Sequence, residues 1–342
     1  MKILITGGCG FVGSNIAIYL KKKIKIAQIS SVDNLTRKGS KLNEERLKNY
    51  KIKNFNFDIE KYNKLKSLPK FNLIIDCCAE PAIEASRKEP NRVFNTNLIG
   101  TFNILKKCIK DKSNIIFLSS SRVYSIDKLK NLVKLNKISK PLKIKKKIDE
   151  TFETELASSL YGFTKYASEK LIKEIFYKTN LKYIINRFGV IAGPWQFGKQ
   201  DQGFVSLWIS RHLLKKNLSY IGFGGNGHQV RDLLHIDDVC KIIHLQIKKL
   251  KKINNETFNI GGGPKNSISL RNLTQKCQIL TKNKIMIKKI SKTSDFDVPY
   301  FVTDNKKIKK FYNWLPAKNI NNILDDIYFW LISDQKIRNY FK

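Results

Sequence analysis

Short apolar runs alternate with segments of helical periodicity through the first half of the chain. The runs predict strands over 3–6, 24–32, 53–58, 71–78, 114–118 and 182–188, and the periodic segments predict helices over 93–107 and 160–176. Strands that alternate with helices form a parallel sheet with right-handed crossovers. We therefore predict an α/β protein with a Rossmann-type doubly wound parallel sheet.

Beyond residue 190 the pattern becomes irregular, with glycine-rich stretches between short apolar runs. We expect residues 1–190 to form a dinucleotide-binding Rossmann domain, to which residues near 232–262 return. Residues 191–342 should form mainly a smaller, C-terminal substrate-binding lobe. The sequence contains no internal repeat and no flexible linker between these two parts.

The first strand leads into the glycine-rich turn GGCGFVG and then into a helical pattern. Gly7 permits the turn, Gly10 lets a pyrophosphate approach the backbone, and Gly13 lets the helix pack closely on the strand. The helix that begins around Phe11 and Val12 points its free N–H groups at an anion. The segment therefore predicts a dinucleotide site.

The second strand ends at Asp33, twenty residues after Gly13, where a carboxylate binds the ribose hydroxyls of NAD. Arg37 and Lys38 follow closely and keep NADP open as an alternative, although Asp33 favours NAD. The carboxyl ends of parallel strands line the ligand crevice. The further cofactor contacts that we predict at or near these ends are Asn34, Asp58, Ile59, Ala79 and Ser119, and we predict another at Asn97, on the helix over 93–107.

The 342-residue chain has 65 Lys and Arg against 28 Asp and Glu, a formal net charge of +37. Such an excess is typical of proteins that bind nucleic acid. Here, however, it consists almost entirely of Lys spread along the chain, and Arg, which recognises planar phosphates and bases, is scarce. We attribute the charge to a compositional bias and predict no nucleic-acid partner.

Residues 128–147 contain nine lysines, no acid and interleaved apolar residues. This composition fits either an amphipathic element on a membrane surface or a solvated loop with a few apolar anchors. Pro141 interrupts any long helix and favours the loop.

The six cysteines have no CxxC spacing, and several lie in apolar runs, as reduced buried thiols do. No apolar run approaches the roughly 18 residues of a membrane span. The four histidines show no metal-ligand spacing. We expect a cytoplasmic protein with no metal site and no stable membrane insertion.

Tyr161 and Lys165 lie four residues apart, which places them on one helix face. A nearby ammonium stabilises a phenolate, so we expect Lys165 to lower the pKa of Tyr161 and make it an acid/base. The same spacing occurs in other Tyr–Lys pairs, among them Tyr19/Lys23, Tyr62/Lys66 and Tyr166/Lys170. Position distinguishes these three: the first lies on the helix behind the phosphate turn, the second follows an early strand, and the third is rotated roughly 140° round the helix from Tyr161. The serine cluster Ser119–Ser121, at the end of the strand before the Tyr161 helix, offers a hydroxyl to a substrate oxygen.

The motifs GGCGFVG, DNLTRKGS, NLIGTFN, SSSRVY, YGFTK and QVRDLLHIDD resemble those of the extended short-chain dehydrogenase/reductase family, the nucleotide-sugar epimerases and dehydratases. The resemblance covers nearly the whole chain. It implies NAD as cofactor, a nucleotide-sugar substrate, and Ser120, Tyr161 and Lys165 as catalytic residues. It also implies that Arg231 binds the substrate pyrophosphate. Family members pair through a helix bundle that contains the Tyr helix, which implies a homodimer or a homotetramer.

Within the family, QFGKQDQGFVSLW, GNGHQVRDLLH, NIGGGPKNSISL and FVTDNKK most resemble 2-epimerases of CDP-linked deoxyhexoses. These matches imply Gln196, Phe197, Gln202 and Gly203 as further substrate contacts. Dehydratases place an Asp–Glu pair where this chain has Ser121 and Arg122, which argues against dehydration. Many relatives have a substrate-binding Asn where this chain has Val190.

Two alternatives stay open at this stage. A 4-epimerase or another redox enzyme acting on a UDP- or GDP-sugar would use the same catalytic residues. A catalytically silent NAD-binding regulator would use its basic surface to bind RNA or a membrane. The complete set of Ser120, Tyr161 and Lys165 argues against the regulator.

Overall fold

A computed structural model of the chain describes residues 1–81, 87–132, 147–155, 159–199 and 202–342. Its contacts divide the chain into two compact units. The first comprises Met1–Val123, Ser159–Phe188 and Val239–Phe258, and the second comprises Tyr124–Ser158, Gly189–Asp238 and Asn259–Lys342. Residues 124–158 therefore group with the second unit, although they precede the boundary expected at 190. The cofactor and substrate roles of the two parts remain predictions.

The first unit is built on a seven-stranded sheet. Its strands are β1 (Lys2–Thr6), β2 (Gln28–Asp33), β3 (Lys53–Asn56), β4 (Leu73–Asp76), β5 (Asn114–Ser120), β6 (Tyr183–Phe188) and β10 (Glu256–Ile260). Its helices are α1 (Phe11–Lys23), α2 (Ser40–Asn49), α3 (Tyr62–Ser67), α4 (Pro90–Phe94), α5 (Gly100–Asp111), α7 (Leu160–Tyr177) and α9 (Ile236–Lys249), the last of which begins in the second unit.

The strand order is β10-β6-β5-β4-β1-β2-β3, and β1 pairs in parallel with both β2 and β4. The order reverses between β1 and β4, so the ligand crevice of a doubly wound sheet lies at the carboxyl ends of these strands. We call this crevice the dinucleotide groove. The Rossmann-type α/β fold predicted from the sequence is confirmed.

The core of the first unit follows from the apolar runs. Leu4, Ile74, Ile115 and Phe117 are fully buried on the sheet, as expected for parallel strands covered on both faces. The helix predicted over 93–107 is observed as α4 and α5 joined by a π-helical turn, Asn95–Ile99. The strand predicted over 24–32 begins only at Gln28, because Ile24 and Ala27 close a turn after α1.

The second unit contains small sheets and helices. Its strands are β7 (Val190–Ala192), β8 (Leu218–Ile221), β9 (Val230–His235), β11 (Ser267–Ser269), β12 (Ile287–Ile290) and β13 (Tyr300–Phe301). Its helices are α6 (Ile126–Asn131), α8 (Phe204–Leu213), α10 (Leu270–Thr281), α11 (Lys306–Tyr312), α12 (Ile320–Ser333) and α13 (Gln335–Asn339). Strand β9 pairs with β7, β11 and β13, while β8 pairs with β12. The core forms where α8, α10 and α12 pack together around Trp208, Leu273 and Trp330.

Two predictions concern membranes: the interpretation of the lysine-rich segment 128–147, and the expectation of no membrane span. Most of the lysine-rich segment, residues 133–146, lies outside the described residues, so both interpretations of it stay open. Among the helices of the described ranges, none has the length and apolarity needed to cross a bilayer.

Candidate active site

The turn after β1 has the geometry of a phosphate-binding loop. Gly7 has φ +62°, and its N–H donates to the carbonyl of Val32 at 2.8 Å. A Cβ on Gly13 would lie 2.3 Å from the Gly7 carbonyl oxygen, so only glycine lets α1 pack this closely. Gly10 precedes α1 and offers no side-chain cap. The N–H groups of the first helical turn, including Phe11 and Val12, are therefore left to bind an anion.

Asp33 ends β2 beside this turn. One carboxylate oxygen accepts the Cys9 N–H at 3.0 Å, and the other accepts the Leu35 N–H at 2.8 Å. Burial raises the pKa of the Asp33 carboxyl above its ordinary value, and these hydrogen bonds and the charge of Arg37 offset only part of that rise. The carboxylate is thus held in place at the edge where a ribose is expected. A glycine cradle, a free helix N-terminus and a fixed carboxylate together fit NAD.

Asn34, Asp58 and Ile59 extend this edge. The Asn34 amide donates to the Asp58 carboxylate at 2.7 Å, which joins the loops after β2 and β3. The Ile59 side chain is buried, and its carbonyl accepts a hydrogen bond from Asn103. The structure therefore brings these three predicted cofactor residues together with Asp33.

Asn97 fixes the loop after β4, which contains Ala79. Its side-chain oxygen accepts the Glu80 N–H at 2.8 Å, and its side-chain nitrogen donates to the Glu80 carbonyl and to the Thr164 hydroxyl on α7. Because the Asn97 side chain is fully buried, it acts here by holding the loop against α7. Direct contacts of Asn97 and Ala79 with NAD stay predictions.

Ser119 takes part in a buried ionic network. Its hydroxyl donates to Glu169 on α7 at 2.5 Å, and the guanidinium of Arg187 on β6 binds the same carboxylate. The network joins α7 to the two strands that lie beneath it. The side chain of Ser119 therefore has a structural partner, and its predicted contact with the cofactor stays a prediction.

Ser120 and Tyr161 are brought together by close packing at the start of α7. The Ser159 hydroxyl caps the helix by accepting the Gly162 N–H at 3.0 Å. A Cβ on Gly162 would lie 2.2 Å from the carbonyl oxygen of Arg122, in the 3₁₀ turn that follows β5. Glycine at this position therefore allows the contact that sets Tyr161 beside Ser120.

The hydroxyl of Ser120 hydrogen-bonds the phenol of Tyr161. Ser120 Oγ accepts the Arg122 N–H at 3.1 Å, so its own proton is left to donate to the phenolic oxygen. This hydrogen bond and the charges of Arg122 and Arg37 lower the pKa of Tyr161. Burial outweighs them and raises the pKa above its ordinary value, since the side chain is only 8% exposed.

Lys165 lies one turn further along α7 and is 1% exposed. Its Nζ lies 3.9 Å from the centre of the Phe117 ring, and burial lowers its pKa while Asp76 raises it. The largest influences on the pKa of Tyr161 are burial, the hydrogen bond from Ser120 and the charges of Arg122, Arg37 and Glu80. The pKa is therefore raised by burial, and the expected effect of Lys165 on it stays a prediction.

The competing Tyr–Lys pairs have other surroundings. Lys23 and Lys170 lie over the rings of Tyr19 and Tyr166, and Tyr62 lies under Lys106. The Tyr161 pair is thus the one that meets the serine at the end of β5, as the order of elements predicted.

The predicted substrate residues lie in the second unit. Gln196 donates to the Ile191 carbonyl at 3.0 Å, and Gly203, with φ +72°, begins α8 next to the Gln196 side chain. Gln202 exchanges paired backbone hydrogen bonds with Lys199. Phe197 packs against Trp330, Tyr340 and Phe341, so its ring belongs to the core of this unit.

Arg231 is placed by β9 and held by three acceptors. Its guanidinium donates to the Asp297 carboxylate at 3.1 Å, to the Val298 carbonyl at 2.6 Å and to the Val230 carbonyl at 2.8 Å. These contacts orient the permanently charged guanidinium of Arg231, which can bind a diphosphate through parallel N–H groups. Asp297 has no signal in the sequence that would have linked it to Arg231.

One group of metal-type side chains occurs in the described part of the chain: His235, Asp237 and Asp326. The Asp237 N–H donates to His235 Nδ1 at 3.0 Å, which leaves the imidazole proton on Nε2, facing Asp326 at 3.3 Å. Lys318 binds the same Asp326 oxygen at 2.9 Å. A protonated nitrogen and a competing ammonium make this group a packing contact of α12 rather than a metal site.

This geometry defines a class of protein: a Rossmann-fold enzyme that binds a dinucleotide, with Ser120, Tyr161 and Lys165 as its candidate catalytic residues. The sequence profile of the NAD dependent epimerase/dehydratase family matches residues 3–261. The chain therefore belongs to this family, and NAD is its cofactor.

Relatives across the family match nearly the whole chain. It is 30% identical to CDP-paratose 2-epimerase of Salmonella typhi over 97% of this chain and 100% of the relative. It is 27% identical to UDP-glucuronate 4-epimerase of Thermodesulfobacterium geofontis, over 96% of this chain and 95% of the relative. It is 26% identical to UDP-glucose 4-epimerase from Thermotoga maritima, whose crystal structure contains UDP-glucose. That structure matches this one with a TM-score of 0.80 over 96% of this chain and 98% of the other. The resemblance inferred from the motifs is confirmed.

Proposed function

We propose that this enzyme inverts C2 of a CDP-linked deoxyhexose, as the name CDP-paratose 2-epimerase states for its Salmonella typhi relative. The observation that carries the proposal is the end-to-end match to that relative, at 30% identity. The motifs around Gln196–Trp208 and Gly225–His235 support it.

The residues after Ser120 support an epimerase over a dehydratase. Dehydration removes a proton from one carbon and a hydroxyl from its neighbour, which requires an additional acid and base. The side chains next to Ser120 are Ser121 and the cationic Arg122. Neither supplies the carboxylates that this chemistry needs.

Tyr161 is the acid/base of the proposed reaction. Its phenolate takes the proton of the hydroxyl on the reacting carbon and gives a proton back to the same oxygen when the ketone is reduced. Bound NAD would accept a hydride in the first half of the reaction and, as NADH, would return it in the second. Ser120 donates a hydrogen bond to the reacting oxygen, and its hydrogen bond to Tyr161 stabilises the phenolate.

The remaining residues hold the two ligands. The Gly7–Gly13 turn binds the pyrophosphate of NAD, and Asp33 and Lys165 bind its ribose hydroxyls. Arg231 anchors the substrate diphosphate, so the keto-sugar can turn over while it stays tethered. Inversion then requires only that the second face of the ketone reaches the same hydride.

The test is a substrate panel with the purified protein. CDP-, UDP-, GDP- and dTDP-sugars are incubated in D₂O, and the products are identified by NMR and mass spectrometry. We expect inversion at C2 of a CDP-linked deoxyhexose without solvent deuterium, because the hydride returns directly. A 4-epimer of a UDP-sugar would contradict the substrate assignment, and a deuterated dehydration product would contradict epimerisation itself.

We also propose that the enzyme is a homodimer that pairs through α5 and α7. Large apolar side chains on these adjacent helices are exposed, among them Phe102, Ile109 and Phe163. Exposed apolar side chains on adjacent helices are typical of an interface between subunits. Light scattering should give twice the chain mass for the wild type and for Phe329→Glu, whose side chain is exposed in the second unit, and the mass of one chain for Phe163→Glu. A wild-type monomer would refute the proposal.

A further inference from the structure

Glu80 binds two guanidinium groups at once. One carboxylate oxygen lies 3.0 Å from Arg37 Nη1, and the other lies 3.0 Å from Arg92 Nη2. The Glu80 side chain is 8% exposed, while those of Arg37 and Arg92 are 31% and 46% exposed. A carboxylate this buried is stabilised by paired cations, and each arginine is thereby fixed in direction.

The Arg37–Glu80 ion pair crosses the dinucleotide groove. Arg37 belongs to the loop after β2, and Glu80 belongs to the loop after β4. In the sheet β1 lies between these strands, and all three are parallel, so their carboxyl ends share one edge. The ion pair therefore spans the end of β1, where the glycine turn and the N-terminus of α1 lie.

The charge of Arg37 acts on both ends of the expected dinucleotide path. It partly offsets the rise in pKa that burial causes at Asp33, where the adenosine ribose is expected, and at Tyr161, where the sugar is expected. The ion pair across the groove places the guanidinium near the expected path of the pyrophosphate. Its effects on Asp33 and Tyr161 are consistent with this position.

Glu80 is a rigid anchor for Arg37. Its backbone N–H and carbonyl are both bound by the buried Asn97 amide, which also binds Thr164 on the catalytic helix. An arginine tied to such a point loses little further freedom when it binds an anion.

We propose that Arg37, held across the dinucleotide groove by Glu80, is a pyrophosphate-binding residue that retains NAD between catalytic cycles. The pyrophosphate would then lie between the N-terminus of α1 on one side and the Arg37 guanidinium on the other. An epimerase recovers its hydride in every turnover, so a cofactor that stays bound is an advantage. The inference uses NAD alone and does not depend on which sugar is the substrate.

The test measures the release of cofactor rather than activity. The full-length protein is loaded with NADH, excess NAD is added, and the loss of protein-bound NADH fluorescence gives the dissociation rate. Since a charge-assisted contact to phosphate is lost, Arg37→Gln should release NADH about tenfold faster than wild type. Arg37→Lys keeps the positive charge but lacks the planar guanidinium. Its NADH release rate should therefore lie between those of wild type and Arg37→Gln.

Arg92→Gln is the matched control. Arg92 forms an ion pair of the same length with the same carboxylate, but from α4, which follows β4, and not from the loop after β2. It should release NADH at the wild-type rate, whereas Glu80→Gln, which removes the anchor, should release it faster. Thermal unfolding of each variant confirms that it folds.

Two results would overturn the inference. A wild-type release rate in Arg37→Gln would show that the guanidinium does not bind the cofactor. Equally fast release in Arg92→Gln would show that Glu80 acts on the general stability of the loop and not through a link across the groove.

Discussion

Glu169 and Arg187 form a buried, multiply hydrogen-bonded ion pair beside Ser119, the neighbour of the proposed catalytic residue Ser120. Arg187 Nε lies 3.0 and 3.1 Å from the two carboxylate oxygens, and Nη2 lies 2.7 Å from one of them. Glu169 is one helical turn beyond Lys165, and it also accepts the hydroxyl of Ser119, the neighbour of Ser120. The pair thus joins α7 to β6, and the Ser119 hydroxyl joins the same carboxylate to β5, the strand that ends in Ser120.

Breaking this pair should destabilise the fold strongly. Arg187→Met leaves the Glu169 carboxylate buried without its partner, and removal of one member of a buried pair costs about 3–5 kcal/mol. Chemical denaturation measures the change in the free energy of unfolding. Arg92→Gln, which breaks half-exposed pairs, should change it by less than about 1 kcal/mol. Similar losses in the two variants would show that the buried pair has no special role.

Tyr161→Phe should remove catalysis and leave the cofactor in place. The substitution deletes only the hydroxyl, so turnover should fall by about 10²–10⁴, the usual contribution of a general acid/base. Product formation is followed by NMR, and bound NAD is measured after denaturation. Tyr166→Phe is the control, since Tyr166 lies elsewhere on the same helix and pairs with Lys170. Undiminished turnover in Tyr161→Phe would refute the assignment.

Ser120→Ala should shift the pH dependence of the reaction upward. The hydrogen bond from Ser120 lowers the pKa of Tyr161, so its loss raises that pKa further above the ordinary value. The reactive phenolate then forms at higher pH, and the rise of kcat/KM with pH moves in the same direction. Ser121→Ala should leave the profile unchanged. A shift to lower pH in Ser120→Ala would contradict the proposed hydrogen bond.

Asp33→Asn should weaken the preference for NAD over NADP. The carboxylate, fixed by the N–H groups of Cys9 and Leu35, binds ribose hydroxyls and repels a 2′-phosphate. Removing its charge should reduce the ratio of NADPH to NADH dissociation constants at least about tenfold. Fluorescence titrations give both constants. An unchanged ratio would mean that another residue selects the cofactor.

Arg231→Lys should impair substrate binding and leave NAD retention unchanged. Lysine keeps the charge but cannot reproduce the fork that Asp297 and Val298 orient, so KM should rise about 10- to 100-fold. Steady-state kinetics with the best substrate of the panel measure it. Arg271→Lys, on α10, should behave as wild type. Loss of bound NAD in Arg231→Lys would place this residue in the cofactor site instead.

Much of the fold and several site residues could be predicted because their signals are local. The apolar runs, the glycines of the first turn and the acid at the end of β2 are read from contiguous residues, and each has its own steric or electrostatic reason. The four-residue spacing of Tyr161 and Lys165 likewise puts them on one helix face before any packing is known. Motif resemblance then added Ser120 and Arg231.

The pKa of Tyr161 could not be predicted in this way. Spacing showed that a lysine was close in sequence, but the pKa depends on burial and on all nearby charges. In the folded protein, burial raises the pKa, and the cations that oppose it are Arg122 and Arg37. Arg37 lies more than a hundred residues before Tyr161 and reaches it only through the fold.

The sequence by itself therefore determined the order of strands and helices, the family and the cofactor, and it proposed Ser120, Tyr161 and Lys165 as the catalytic residues. Only the tertiary structure decided the contacts between distant segments, such as Arg37 with Glu80 and Glu169 with Arg187. The physical reason is that hydrophobic periodicity and turn chemistry act over a few neighbouring residues. Ion pairs and burial depend instead on which strand ends the sheet order brings side by side.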